Sequence, residues 1–350
     1  MTASPATGID PWRLGALGCL FTGLLLVVVA PFLPGPERLV PRDPPRQGHV
    51  TALTTTDQGL LAGTERGELW RHREGAWNLA GQDAAERAIT VLRGDPAIIP
   101  AGTAAGLLGE VTHPVPDSPR ISDVLSYRGG VLVATGTGVL RLAQEGWAEV
   151  GPDAQVYRLG LQQRGGETRL HAGTIGEGLY TADPADTPQW RPNRRGLPSP
   201  VNVLSLATTP GGLLLAGTDQ GLYWQAETGD DWRQIDAGLG ARRILALRLG
   251  PPADGTRQLW LGSDDGLLVL DLVERSNSLE SRGRARQFGV VGESPRSGVS
   301  WIALDNGRPV VSAGAVYALE PTRFFYWHWV GMAGVVLVLV GLRLWGRLRR

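Results

Sequence analysis

One phrase recurs seven times through the middle of this 350-residue chain, and it constrains the fold more than any other feature. It reads Leu61-Ala62-Gly63-Thr64-Glu65-Arg66-Gly67, then Ala101-Gly102-Thr103-Ala104-Ala105-Gly106, then Ala134-Thr135-Gly136-Thr137-Gly138, the last without its first glycine. Three fuller copies follow as His171-Ala172-Gly173-Thr174-Ile175-Gly176-Glu177-Gly178, Leu215-Ala216-Gly217-Thr218-Asp219-Gln220-Gly221 and Leu261-Gly262-Ser263-Asp264-Asp265-Gly266. A degraded seventh, Val311-Ser312-Ala313-Gly314, ends the series. The markers Thr64, Thr103, Thr135, Thr174, Thr218, Ser263 and Ser312 lie about 41 residues apart on average, the length of a four-stranded propeller blade.

The chemistry around the phrase agrees with that period. Short β-branched and leucine-rich stretches at 50–53, 89–92, 201–206, 244–249 and 299–304 precede most copies and read as inner strands beside the axis. The phrase closes a second strand, and its last glycine supplies the positive φ of a tight hairpin. Small Ala-Gly pairs allow neighbouring blades to approach. Trp77, Trp147, Trp190 and Trp232 stand where a fourth strand begins and fill the widening gap between blades. The fold expected is all-β: a seven-bladed β-propeller of four-stranded blades over residues 49–320. The seventh repeat has residues for only three strands, so Glu37-Arg38-Leu39-Val40, within the linker 34–48, is expected to close it as an outer strand against 316–319. The closure would leave no open sheet edge.

Both ends of the chain are apolar. Residues 14–33 and 324–342 carry no charge and are long enough to cross a bilayer as N- and C-terminal transmembrane helices. Proline at position 31 argues against signal-peptide cleavage after Ala30, and Cys19 lies too early in the apolar run for a lipoprotein site. Arg343, Arg347, Arg349 and Arg350 follow the second run, which places the tail 343–350 in the cytoplasm, and the short tail 1–13 with it. Phe324, Phe325, Tyr326, Trp327 and Trp329 form an aromatic belt at the outer interface. Arg38, Arg42 and Arg46 after the first run point the other way; a large translocated domain overrides such a bias. Gly15, Cys19 and Gly23 place small side chains at four-residue spacing and read as a helix-packing face, with Gly331 and Gly334 as its mate.

The phrase A-G-T-x-x-G-L-Y followed by Trp resembles the WD/YVTN/Asp-box class of propellers, which includes sialidase-like repeats, sensor propellers and a photosystem assembly factor. The segment Gln225-Ala226-Glu227-Thr228-Gly229-Asp230-Asp231-Trp232 keeps the Gly and Trp of an Asp-box but has Gln and Glu where Ser and Asp belong. The resemblance implies a fold and no activity, because this architecture hosts unrelated functions.

Lysine plus arginine balance aspartate plus glutamate at 34 each, which removes a global basic field for nucleic acid. One cysteine, Cys19, excludes an internal disulfide and a thiolate metal cluster. His49, His72, His113, His171 and His328 match no metal spacing and read as isolated loop, strand-edge or interface residues. No nucleophile elbow, phosphate loop or zinc-protease signature is present. No arginine triad is assigned among the scattered arginines. The expectation is therefore no catalytic, cofactor or metal site. Residues 274–298 break the blade pattern and read as a polar excursion, with Arg275, Arg282, Arg284, Arg286 and Arg296 as a partner-docking loop. Together these features describe a two-pass membrane protein with its propeller outside the cytoplasm. It is expected to serve as scaffold, assembly factor or accessory subunit for membrane or extracytoplasmic protein partners, with the lipid bilayer as its other contact. Only a few residues follow the second span, so no output domain is expected there. A sialidase-like glycan-binding or glycan-hydrolysing protein is the alternative.

Overall fold

The computed structural model describes residues 11–42, 48–94, 96, 98–109, 113–143, 145–226, 231–291, 297–323 and 326–347. They fall into two compact units, Leu39–Leu319 and the pair of chain ends Met1–Arg38 with Glu320–Arg350.

The first unit is built from seven antiparallel sheets in chain order, one per repeat. Blade 1 runs from Val50–Thr56 through Gly59–Thr64 and Glu68–Arg73 to Ala76–Gln82. Blade 2 has three strands among the described residues, from Ile89–Val91 to Gly106–Leu108. Blades 3, 4 and 5 open at Asp123–Tyr127, Val156–Arg164 and Val203–Thr208, and each has four strands. Blade 6 opens at Ile244–Ala253, and blade 7 at Trp301–Asp305. The inner strands coincide with the stretches expected from the sequence.

The seven-residue phrase has a local physical cause. In each of five copies the marker hydroxyl donates to the carbonyl three or four residues on, at 2.8–3.1 Å: Thr103 to Gly106, Thr135 to Gly138, Thr174 to Gly178, Thr218 to Gly221 and Ser263 to Gly266. The same oxygen accepts the N–H two residues on in the Thr103, Thr135 and Thr218 copies. One short side chain thus satisfies the backbone of the turn. The closing glycine has positive φ, as at Gly221 (118°) and Gly266 (120°), where a side chain would be strained.

The glycine before the marker has a different job. A Cβ at Gly63 would meet Ile89 Cγ2 at 2.5 Å, at Gly102 Val91 Cγ1 at 2.4 Å, at Gly173 Val203 Cγ1 at 2.7 Å and at Gly217 Ile244 Cγ2 at 2.7 Å. In each case a β-branched side chain packs onto bare backbone, for Gly63, Gly173 and Gly217 that of the next blade's inner strand. That contact is what the recurring Gly and the recurring Ile or Val encode together. Hydroxyls then tie inner strand to inner strand: Thr51 and Thr90 donate to the carbonyls of Ile89 and Ile121, and Thr208 donates to Leu161 O at 3.0 Å. Each such bond is worth about 1 kcal/mol net. Further out, the tryptophans bolt each blade to its predecessor through the indole N–H: Trp77 to Arg42 O at 2.8 Å, Trp147 to His113 O at 2.9 Å, Trp190 to Val150 O at 2.6 Å and Trp232 to Asn193 O at 3.0 Å.

Blade 7 closes as the sequence requires. Pro34–Pro41 pairs beside Val316–Arg323 as the outer strand of the sheet, so residues from the two ends of the propeller chain share one blade. Arg42 N donates to Val316 O at 2.7 Å, and Thr322 Oγ1 donates to Pro36 O at 2.7 Å, which fixes an antiparallel register. Leu39 is fully buried, and its backbone is bracketed by Gly289 O and Val291 N, both at 2.9 Å. The segment leaving blade 6 therefore clasps the closing strand from its other side. At the other seam, Ser312 donates to Val50 O at 2.6 Å and Thr55 to Leu304 O at 2.8 Å.

The second unit contains two helices, Pro11–Val29 (continued by a short 3-10 turn, Ala30–Phe32) and Trp327–Arg347. Both are long and apolar enough to cross a membrane. They pack antiparallel on small residues. A Cβ at Gly23 would lie 2.6 Å from Gly334 O, one at Gly334 would lie 2.6 Å from Gly23 O, and one at Gly341 would lie 2.9 Å from Ala16 O. The packing face differs from the one expected. Gly15 has nothing within 4 Å, Cys19 is half-buried, and of the three residues only Gly23 is in the seam. The seam is Ala16, Gly23 and Ala30, each buried, at seven-residue spacing. Four residues advance a helix by about 40° beyond a turn, whereas seven fall only about 20° short of two turns, so the seven-residue series keeps to one stripe.

Candidate functional site

The propeller axis holds two cavities. One, of about 150 Å³, is lined by residues midway along the inner strands, including Thr54, Arg93, Arg158, Arg248, Ser300 and Trp301. The other, of about 320 Å³, is lined by residues at the starts of the same strands, among them His49, Thr90, Arg120, Tyr157, Arg158 and Trp301. Inner strands run in one direction along the axis, so the second cavity lies toward the end where those strands begin and the first lies deeper along it. Arg158, Leu245, Ser300 and Trp301 line both.

Trp301 comes from blade 7, and its indole packs against the apolar clusters of blades 1, 2 and 3. Arg158 comes from blade 4, and its guanidinium carbon lies 4.8 Å from the Trp301 ring centre and 4.7 Å from that of Tyr157. Its Nε donates to Leu204 O at 2.9 Å and its Nη1 to Ser122 O at 3.1 Å. A stacked cation fixed by two carbonyls is a rigid plug, and such stacking is worth about 1–2 kcal/mol when desolvated.

Arg93, from blade 2, is held by Asp123 of blade 3. Its Nε donates to Asp123 Oδ1 at 2.7 Å, its Nη2 donates to Oδ2, and Nη2 also reaches Leu159 O at 3.2 Å. Asp123 is fully buried and accepts the N–H groups of Val124 and Leu159, both at 2.9 Å. Burial opposes the charge of Arg93, but Asp123 outweighs it and holds the pKa above the ordinary guanidinium value. Arg248, from blade 6, is different. Its side chain is solvent-exposed at the cavity and makes no hydrogen bond or ion pair among the described residues; partial desolvation, and then the nearby Arg93 charge, lower its pKa from the ordinary value. No Asp or Glu lines either cavity. The smaller cavity thus presents three guanidiniums, one neutralised by a carboxylate behind it, one spent on carbonyls and a ring, and one without a protein partner among the described residues, while Arg120 adds a fourth at the wider cavity.

Of the residues singled out from the sequence, Arg275, Arg282, Arg284 and Arg286 lie exposed on blade 6, while Arg296 falls outside the described residues. The stretch read as a polar excursion instead completes that blade. Gly266–Arg275 turns into Ser278–Ser281, and Arg286–Gln287 pairs back onto Leu268 and Val269. Two apolar residues explain why: Leu279 is buried, and the Phe288 ring lies 5.7 Å from Trp260. Arg275 faces Glu280 at 3.4 Å and Arg286 faces Asp271 at 3.8 Å, exposed pairs of small energetic consequence. These arginines do not converge on one pocket.

The histidines divide. His49 lines the wider axial cavity. His171, read from the sequence as an isolated loop, strand-edge or interface residue, is fully buried in strand Glu167–Thr174. Its Nδ1 lies 2.9 Å from Thr181 Oγ1 and its Nε2 3.1 Å from Gln162 Oε1. Gln162 Nε2 donates to Gly212 O, so Oε1 must accept, and His171 carries its proton on Nε2. The chain continues through Asn193, which donates to Thr181 and exchanges two bonds with Gln225. Burial, aided by Arg169, pushes the imidazole down to about 3. This network joins blades 4 and 5 and sits away from the axis. Among the described residues no three His, Cys, Asp or Glu come together to hold a metal.

Sequence reasoning missed the axial arginines because Arg93, Arg158 and Arg248 share no motif. The only available signal was a charged residue interrupting three apolar inner strands, one per blade.

No family model matches the chain, and no curated protein matches it in sequence. Solved structures match the fold. The extracellular domain of BT4673 of B. thetaiotaomicron, assigned to a one-component system, superposes with TM-score 0.60 at 16% identity over 81% of this chain and 39% of that one. The corresponding domain of BT3049, assigned to a hybrid two-component system of the same organism, gives TM-score 0.58 at 14% identity over 82% and 42%. This chain spans about two fifths of the length of those domains. The WD40 propeller of Doa1 gives TM-score 0.55 at 12% identity over 83% and 99%. The chain is thus a seven-bladed propeller whose structural neighbours include extracellular domains of one- and two-component systems and WD40 propellers.

Proposed function

We propose that this protein is a membrane-anchored interaction propeller, held by two helices on the outer side of the cytoplasmic membrane with both termini inside. There it acts as a scaffold, assembly factor or accessory subunit of a membrane complex, without catalysis of its own. The observation that carries the reading is the state of the helix pair. Each helix buries only one stripe of small residues on its mate and leaves its other faces apolar and exposed, as at Leu14, Phe21, Leu24, Val28, Val336, Leu339 and Leu342. Burying a leucine or phenylalanine is worth about 1.5–3 kcal/mol, so these faces require lipid or the helices of a partner. The extracellular domains among the structural neighbours support an outside location and a sensing or binding role. Arg343 and Arg347 at the end of the second helix support the cytoplasmic placement of that end.

The alternative, a glycan-hydrolysing propeller, would use the axial arginines. Two of the four, Arg93 and Arg158, are already committed to Asp123, Ser122, Leu204 and Trp301, and the cavity walls offer no carboxylate as acid or nucleophile. That wall chemistry supports binding, with no group placed to cleave a glycosidic bond. Purification of the full chain in mild detergent, with cross-linking and mass spectrometry, tests the scaffold reading. A stoichiometric membrane partner is expected. Its absence, together with hydrolysis of a glycan substrate by the purified protein, would sink the proposal in favour of the alternative.

A further inference from the structure

We infer that the smaller axial cavity is a binding site for a small free oxyanion, a carboxylate, sulfate or phosphate, with Arg248 as its principal ligand and Arg93 as its second. The inference extends beyond the scaffold reading and does not depend on it.

Three observations carry it. The first is the unmatched charge. Arg93, Arg158 and Arg248 come from three different blades and line one cavity of about 150 Å³, whose lining contains no carboxylate. Asp123, behind Arg93, is the counter-charge to that guanidinium, and both its oxygens are taken by Arg93 and by the backbone N–H groups of Val124 and Leu159. The second is the state of Arg248. A guanidinium has five donors; Arg248 is solvent-exposed at the cavity, so its donors are accessible to a ligand, and none has a partner among the described residues, nor has Arg93 Nη1. Holding like charges near one another without a counter-ion costs free energy, and an anion between them removes that cost. The third is the shape of the place. The Arg158–Trp301 stack closes one end, and the walls are inner strands tied to each other by hydrogen bonds, so the donors are held in position before a ligand arrives. Thr54 and Ser300 lie in the same lining, with hydroxyls that make no hydrogen bond among the described residues.

The size of the cavity sets the class of ligand. It suits a group of a few heavy atoms, and the Arg158–Trp301 plug prevents a polymer from threading along the axis. Charge-assisted bonds from a planar fork favour an oxyanion over chloride, because two oxygens can be held at once.

The test uses the full chain in detergent, titrated with sodium phosphate, sodium sulfate and sodium acetate at ionic strength held constant with sodium chloride. Binding is read by calorimetry and by the fluorescence of Trp301, with Trp301→Phe identifying its share of the signal. Saturable binding of at least one of the three oxyanions, weakened at least tenfold in Arg248→Gln, is expected. Arg248 makes no bond within the protein, so that variant should fold with unchanged circular dichroism. Arg248→Lys, which keeps the charge but loses the fork, should bind between the two. Saturation by none of the three anions, equal affinity in wild type and Arg248→Gln, or a signal that chloride reproduces would each overturn the inference.

Discussion

Replacing His171 by glutamine should make the propeller less sensitive to mild acid. The native imidazole is neutral, donating from Nε2 to Gln162 and accepting at Nδ1 from Thr181, in a fully buried site. Its pKa is pushed down to about 3, chiefly by burial. In the unfolded chain a histidine titrates near 6.5. Below that pH the unfolded state binds a proton that the folded state refuses, so stability falls as the pH drops and the loss continues until the folded pKa is reached. At pH 5 the expected loss is about 2 kcal/mol relative to pH 7.5, and it depends on the unfolded pKa alone so long as the folded one stays below about 4. For a domain of this size that corresponds to roughly 4–8 °C in Tm. The substitution itself is costly at neutral pH, because glutamine cannot place both bonds as the ring does. The informative quantity is therefore the difference between variant and wild type as a function of pH. Urea titrations of both proteins in detergent, followed by tryptophan fluorescence, should show a gap that shrinks by about 2 kcal/mol between pH 7.5 and pH 5. Parallel pH profiles would refute the argument, because they would mean that His171 is protonated in the folded state or already neutral in the unfolded one.

Other substitutions probe the repeat logic and the topology. Gly217→Val places methyl groups where a Cβ alone would sit 2.2 Å from Ser205 Oγ and 2.7 Å from Ile244 Cγ2, and thermal denaturation should show a loss of at least about 1–3 kcal/mol. Trp232→Phe keeps the ring in its buried site but strands the Asn193 carbonyl, which should cost about 1–3 kcal/mol in the same assay. Leu39→Ala removes the one fully buried side chain of the closing strand's apolar core; a loss of about 2–5 kcal/mol is expected, together with faster proteolysis at the blade 7 seam. A phosphatase reporter inserted at the exposed turn at Gly255 should be active in cells and one fused after Arg347 silent, and the reverse pattern would invert the proposed orientation.

What the sequence disclosed and what it withheld follow from the same physics. A blade repeats because each must meet its neighbour in the same way. The Thr that closes the hairpin, the Gly that receives an Ile or Val and the Trp that caps the previous blade therefore recur in the chain and can be read from it. Even the closing strand was legible, since Leu39 and Val40 were the apolar pair left over when the seventh repeat ran short. The axial site obeys the opposite rule. A ligand on the axis is contacted once by each blade, from a different angle, so Arg93, Arg158 and Arg248 need not be spaced alike, and in the sequence they are three arginines among 34 positive charges. His171 was hidden for a related reason. Nothing local marks it as buried; its partners Gln162 and Thr181 are polar residues on neighbouring strands of its own blade, and only the register Gly160–His171 and His171–Thr181 brings them together. Blade 6 shows how far a polar composition can mislead. Its outer edge carries arginines at 275, 282, 284 and 286, yet Leu279 and Phe288 suffice to dock it, because an edge strand needs one buried face only at intervals. In a repeat fold, then, the residues that violate the repeat are where individual function is to be sought. Here they are the guanidiniums of the smaller axial cavity, of which Arg248 alone has every donor free of protein partners among the described residues.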